Sequence, residues 1–268
     1  MNNFVFENST KVFFGAGCVK EHLGSLLKGY GGTVMLVYGG GSIKQNGVYG
    51  QVTGVLKEAG KRVVEFSGVM PNPTYAKMLG GVSLARREGA DLILAVGGGS
   101  VMDCAKAIAL AAPYEGDAWE DFWARKGVVS HEPLPLGVVV TMPGTGSECN
   151  GGAVLTNEAV KIKTDRDYPK CNPHFALLDP SYTFSIPQKQ MVCGGFDALS
   201  HVMETYFSPP DEENVSDDIS EALMRGLVRD LRASVQDPMD YTARSNLMWE
   251  ATMAENRIIK LNKQTDFM

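Results

Sequence analysis

Three times within the first hundred residues an amphipathic stretch runs into a short, fully apolar one, and this rhythm narrows the fold more than any other feature of the chain. "CVKEHLGSLLKG" places Val19, Leu23, Leu26 and Leu27 at helical spacing before the continuous run "TVMLVY" at 33–38. "GVYGQVTGVLKEAG" precedes "RVVEFS", and "PTYAKMLGGVSLARREGA" precedes "DLILAV" at 91–96. A strand that is apolar at every position needs cover on both faces, and helices between successive strands supply it. The N-terminal part is therefore expected to be α/β, built on a parallel sheet. "LGVVVTM" at 136–142, "GAVLT" at 152–156 and "HFALLD" from 174 read as further strands.

From Pro187 onward the pattern changes to long helical segments, "QKQMVCGGFDALSHVMETYFS", "NVSDDISEALMRGLVRDLRASV" and "YTARSNLMWEATMAENRIIKL", divided by "PPDEE" and "DPMD". The expected division is an α/β domain over 1–186 and an all-helical domain over 187–268. Three helices are few for an independent core, so the helical domain reads as incomplete.

The 268 residues suffice for one large or two moderate domains. No apolar run nears the roughly 18 residues of a membrane span, and the N-terminus lacks the basic start and long apolar centre of a secretory signal. The expected location is cytoplasmic, without membrane attachment. A net charge of −6, with no cluster of Lys and Arg, argues against nucleic acid. Cys18, Cys104, Cys149, Cys171 and Cys193 are scattered and odd in number, which suits reduced thiols.

Two glycine turns follow apolar strands. "LAVGGGSVMDCAKAIALAA" sets Gly97, Gly98, Gly99 and Ser100 between a strand and an apolar helix. There the backbone can approach a pyrophosphate closely and the first free N–H groups of the helix point at the anion. The same glycines also serve a tight turn that binds nothing. "VYGGGSIKQNG" repeats the arrangement with Gly39, Gly40, Gly41, Ser42 and the nearby Lys44. An acidic residue at the end of such a strand would accept hydrogen bonds from a ribose and repel a 2′-phosphate. Here the turn has none, which suits NADP(H), although an exposed lysine is ordinarily just solvated. "TMPGTGSECNGGA" offers the small donors Thr141, Thr145, Gly146 and Ser147 for a cofactor, or forms a polar turn. Lys163, in "VKIKTDRDYPK", reaches a phosphate or ribose, or belongs to a water-facing hairpin.

"GGFDALSHVMETYFS" places Asp197 and His201 four positions apart on one helical face. A carboxylate deep in an apolar segment needs a cation or strong donors. Oxygen plus imidazole suits Fe²⁺, Zn²⁺ or another divalent transition ion; a core histidine bonded to its neighbour is the plainer alternative. The remaining histidines, His22, His131 and His174, form no second spaced pair.

"GGGSVMDCAKA", "TMPGTGSE", "LLDP" and "FDALSHVMETY", in this order and separation, resemble the iron-containing, group III alcohol dehydrogenase family, and "YGGGSIKQNG" and "MPNPTY" resemble its NADPH-linked butanol dehydrogenase and aldehyde reductase branch. The resemblance implies a Rossmann-like dinucleotide-binding domain, an all-helical domain and a metal-holding cleft between them. It implies that Gly39 to Ser42 meet the 2′-phosphate of NADP(H) and that Gly98, Gly99 and Ser100 meet the pyrophosphate. Asn72, Asp103, Thr141, Thr145, Ser147, Lys163 and Tyr182 would line the rest of the cofactor cleft. Asp197 and His201 would be catalytic, as two ligands of Fe²⁺, Zn²⁺ or another divalent metal. Two further histidine ligands are expected beyond Met268, so the chain reads as truncated and impaired in catalysis. The implied reaction is hydride transfer between the nicotinamide and a small alcohol or aldehyde, in a homodimer. A nucleotide-binding module without chemistry, and a polyol dehydrogenase of the same architecture, are the alternatives.

Overall fold

A computed structural model describes residues 3–210, 212, 214–261 and 263–265. Six strands form one sheet: β1 (Lys11–Phe14), β2 (Thr33–Tyr38), β3 (Arg62–Phe66), β4 (Leu92–Gly97), β5 (Leu136–Val140) and β8 (Phe175–Leu178). Their spatial order is β1-β8-β5-β4-β2-β3, and every neighbouring pair is parallel. The fully apolar runs explain this layout. Along β2, Val34 and Leu36 face one core, beneath α1 (Cys18–Leu26) and α3 (Val48–Glu58), while Met35 and Val37 face the other, beneath α4 (Tyr75–Glu88) and α5 (Gly99–Ala111). Each layer of helices removes one side of the strand from water, so a polar residue on either side would be buried without a partner.

The structure departs from the expected strands in two places. β1 is a further, unanticipated edge strand: it is only four residues long and its ends are exposed, so it lacks the apolar density of the inner strands. The run at 152–156 is a strand, β6 (Gly152–Asn157), but it stands outside the main sheet and pairs antiparallel with β7 (Ile162–Asp167). Its alternate residues are buried and half-buried, the signature of a hairpin with one covered face. The charged stretch around Lys163 is thus the second strand of that hairpin.

The helical part comprises α6 (Gln188–Tyr206), α7 (Val215–Gln236) and α8 (Tyr241–Glu255), packed around Val202, Leu223, Leu227, Leu247, Ala251 and Ala254. Asn214 starts α7 by accepting from the Asp217 amide, 3.2 Å away, with Asp217 and Asp218 in the first turn where the helix dipole favours them. The last segment was expected to stay helical to Leu261. It stops at Glu255, because Arg257 takes a left-handed φ of 73° that cannot continue a helix.

This part docks on the sheet domain through buried contacts. Met248 of α8 joins the core beneath α4 and α5, and the hydroxyl of Thr252 donates to fully buried Glu148. Among the described residues no helix is long and apolar enough to cross a membrane.

Candidate active site

The two glycine turns leave the carboxyl ends of adjacent strands, β2 and β4, and lead to helices on opposite faces of the sheet. A crevice must open where neighbouring connections diverge in this way, and ligands of doubly wound sheets bind there. After β4, Gly98 precedes the first turn of α5. A Cβ on Gly98 would lie 3.2 Å from Met142, and one on Gly99 would lie 2.6 Å from Thr145, so both positions are as tight as glycine allows.

A cleft of about 900 Å³ separates the sheet domain from the helices. Nine of the anticipated site residues line it: Asn72, Gly99, Ser100, Asp103, Thr145, Ser147 and Lys163 from one side, Asp197 and His201 from the other. Lys163 Nζ donates to Asn72 Oδ1 at 2.7 Å, joining the β6–β7 hairpin to the loop before α4. Asn72 itself holds a left-handed φ of 53°, which its short amide side chain tolerates.

The other anticipated residues lie off this cleft. Gly40, Gly41 and Ser42 are exposed beyond the end of β2, and Gly39 accepts a hydrogen bond from the Gly68 amide at 2.8 Å. Thr141 spends its own amide on Gly97 O at 3.0 Å. Tyr182 is buried in the core under α1 and α3, with its hydroxyl donating to Gln51 at 2.6 Å, so its ring packs rather than lining the cleft.

The residues flanking the Gly39–Ser42 turn, Tyr38 and Lys44, meet a carboxylate from another stretch of sequence. Glu65, on neighbouring β3, accepts from the hydroxyls of Tyr38 and Tyr49. Lys44 stands 3.6 Å from it, over the Tyr49 ring. The tyrosine hydroxyls, with Lys44 beside them, hold the Glu65 carboxyl below the usual carboxylate range.

On α6, Asp197 Oδ1 and His201 Nε2 are 3.6 Å apart, so the anticipated pair does share one face. The expected dryness of Asp197 does not hold: its side chain is 45% exposed, because it opens into the cleft rather than into the core. Desolvation therefore gives no reason for a cation there; closeness to the imidazole does. His201 is the buried member, 10% exposed, and its other nitrogen, Nδ1, lies 3.0 Å from Glu255 Oε1 without hydrogen-bond alignment. Lys260 Nζ lies 2.9 Å from Glu255 Oε2. Burial pulls the imidazole down, but Asp197 and Glu255 outweigh it and raise the histidine to about 9. Burial works against Glu255 as an anion, while His201 and Lys260 hold it below its usual range.

A separation of 3.6 Å suits two ligands of one ion, each reaching about 2.1 Å to the metal. The donor chemistry fits a divalent transition metal as far as it goes. Among the described residues, however, no group of three His, Cys, Asp or Glu is placed to hold one. Glu255 cannot be the third, since it addresses the opposite nitrogen of the ring.

Glu255, Lys260 and Lys106 were not among the anticipated site residues. In the structure Glu255 lies against His201, and Lys106 lies beneath the cleft floor. For Lys106 the available signal was a lysine three positions after Asp103 within the otherwise apolar run of α5.

A doubly wound dinucleotide-type sheet, with a helical lobe presenting a carboxylate and an imidazole across a shared cleft, defines the class of protein. The chain belongs to the iron-containing alcohol dehydrogenase family: residues 9–180 match the family described as "Iron-containing alcohol dehydrogenase", and residues 191–266 match "Fe-containing alcohol dehydrogenase family, C-terminal". It is 42% identical to the probable NADH-dependent butanol dehydrogenase 2 of Bacillus subtilis, over 97% of this chain and 66% of that protein. It is 37% identical to the NADPH-dependent aldehyde reductase YqhD of Escherichia coli, again over 97% of this chain and 66% of that one. The crystal structure of NADH-dependent butanol dehydrogenase A from Thermotoga maritima superposes with a TM-score of 0.94 at 42% identity, covering 99% of this chain and 66% of that one. The chain thus spans about two thirds of the length of these relatives.

Proposed function

We propose that this chain is the dinucleotide-binding and part of the metal-binding machinery of an NAD(P)(H)-dependent alcohol dehydrogenase or aldehyde reductase acting on a small alcohol or aldehyde. One observation carries the reading: the glycine turn and first turn of α5 face the Asp197–His201 pair across a single cleft. Free N–H groups at the start of α5 receive the pyrophosphate. Asp103, Thr145 and Ser147 orient the remainder of the cofactor, and the packed glycines let its backbone-facing side approach closely. A bound nicotinamide would supply the chemistry of hydride exchange with the alcohol or aldehyde carbon. A divalent ion held through Asp197 and His201 would contribute Lewis-acid polarisation of the substrate oxygen.

The finer choice of NADP(H) rests on the exposed Gly39–Ser42 turn, whose strand ends without an acid. The nearby Glu65 is occupied by two tyrosine hydroxyls and stands beside Lys44, which leaves it poorly placed to accept from a ribose. Calorimetric titration with NADPH and with NADH tests the reading directly, the expectation being saturable binding of at least one and tighter binding of NADPH. Fe²⁺ or Zn²⁺ should compete with protons at the pair, because metal must displace the imidazole proton. Failure of both dinucleotides to bind would sink the proposal, and binding without any turnover in a longer form of the protein would favour a nucleotide-binding module.

A homodimer joined along β1 is part of the proposal. That edge strand has one neighbour, and Phe4, Phe6 and Phe14 lie exposed in or near it. Sedimentation velocity should report a dimer, and charge placed at Phe14 should shift it to monomer; a monomeric wild type would remove this element.

A further inference from the structure

Lys106 is fully buried in α5 and does not line the cleft, yet its ammonium organises the residues that do. We propose that Lys106 is a positioning residue for the dinucleotide, fixing the 145–152 loop against the start of α5 so that Asp103, Thr145 and Ser147 face the cofactor in one arrangement. The inference rests on the dinucleotide reading given above.

The argument follows from donor and acceptor counting. An ammonium has three protons and no acceptor. Lys106 Nζ sends them to Ser147 Oγ at 2.8 Å, Asn150 Oδ1 at 3.0 Å and the Gly152 carbonyl at 2.9 Å. Ser147 Oγ must therefore accept from Lys106, and its own proton is directed to Asp103 Oδ1, 2.8 Å away. The second carboxylate oxygen accepts from the Val154 amide at 3.2 Å, so the Asp103 side chain is held at both oxygens.

Asn150 is oriented by the same logic. Its oxygen is taken by Lys106 and by the Gly152 amide, which turns its NH₂ group toward the carbonyls of Gly146 and of Glu255 in α8. Gly146 sits in the left-handed region at φ 58° with Glu255 and Ala251 packed against it, so a side chain there would be strained and obstructed. One buried charge thus sets a hydroxyl, an amide and a carboxylate, and ties the loop to both domains. Burial draws the ammonium below its ordinary value while Asp103 draws it back, as expected of a dry, paired charge.

Lys106→Met keeps an unbranched side chain one atom shorter and removes all three donors. Titration of the full chain with NADPH should then show a loss of roughly ten- to hundredfold, the range of a forfeited charge-assisted hydrogen bond. Adenosine 2′,5′-bisphosphate, which lacks the nicotinamide half, should bind within about twofold of wild type, since a variant with this local effect leaves distant contacts alone. Equal losses for both ligands would mark a merely structural role, and unchanged NADPH binding would overturn the inference as well. Should Lys106→Met fail to fold, Asn150→Ser removes one of the three acceptors and should show the same split in smaller measure; no split overturns the inference. Recovery of NADPH binding by propylammonium in Lys106→Ala is expected on the same grounds. Absence of dinucleotide binding by the wild type would instead count against the function proposed above.

Discussion

Gly99→Val is expected to weaken NADPH binding by about a hundredfold or more, corresponding to roughly 3 kcal/mol, while leaving the unfolding midpoint nearly unchanged. Already the first added carbon would lie 2.6 Å from Thr145 Cγ2 and 2.7 Å from its hydroxyl. Real Cβ atoms do not come so close, so Thr145 must give way. It can, because Thr145 is exposed and its loop side faces water, so the displacement should cost the fold less than about 1 kcal/mol. The cleft has no such freedom. The branched side chain would project from the first residue of α5 across the N–H groups meant for a pyrophosphate, and would push out a hydroxyl that faces the same space. Calorimetry for the dinucleotide and thermal unfolding for the fold separate the two effects. Wild-type affinity in a folded variant would remove the α5 turn from the proposed site, whatever else binds in the cleft.

The inner strands and the first turn of α5 were legible in the sequence for a common reason: burial on both faces, or contact with backbone, leaves little choice of residue. β2, β4, β5 and β8 are uninterrupted apolar runs or close to it, and the glycines before α5 stand where a Cβ would collide. The features that stayed hidden depend on which residues meet across long separations. Glu65 reaches Tyr38 and Lys44, on either side of the Gly39–Ser42 turn, from a different strand, and Glu255 meets His201 from another helix. The role of Lys106 stayed hidden because its three acceptors all lie more than forty residues on. Asp197 was misjudged for the converse reason. Ala198, Leu199 and Val202 pack into the helical core on other faces of α6, while the carboxylate looks into the cleft. Periodicity reports which face of a helix is apolar but not where a cleft interrupts the cover.

Glu250→Gln should make the protein markedly more stable at pH 8 and change little at pH 5. Glu250 on α8 turns toward Gly226 of α7 with its side chain 12% exposed, and its Oε2 is buried without a hydrogen-bond partner. Burial, together with the charge of Asp230, raises its carboxyl to about 8, with Arg229 4.0 Å away opposing the shift. Arg229 is chiefly engaged by Asp230, which it grips through two nitrogens, so it offers Glu250 little. Between the ordinary value of 4.5 and about 8, the folded chain therefore holds a proton that the unfolded chain has released. Stability is fully present below that window and falls as pH rises through it, at up to about 1.4 kcal/mol per unit. Allowing for partial exposure and for the nearby Arg229, the loss by pH 8 should be on the order of 3 kcal/mol. Glutamine keeps the shape, fits the space opened by Gly226 on α7, and cannot ionise. Asp103 and Glu148, whose carboxyls are also raised by burial, give slopes of the same sign, but these remain in both proteins and cancel in the difference. Urea unfolding of the two chains at pH 5, 6.5 and 8 would measure that difference directly. It should widen steadily with pH, and parallel stability curves would mean that Glu250 is ionised and accommodated in the folded state.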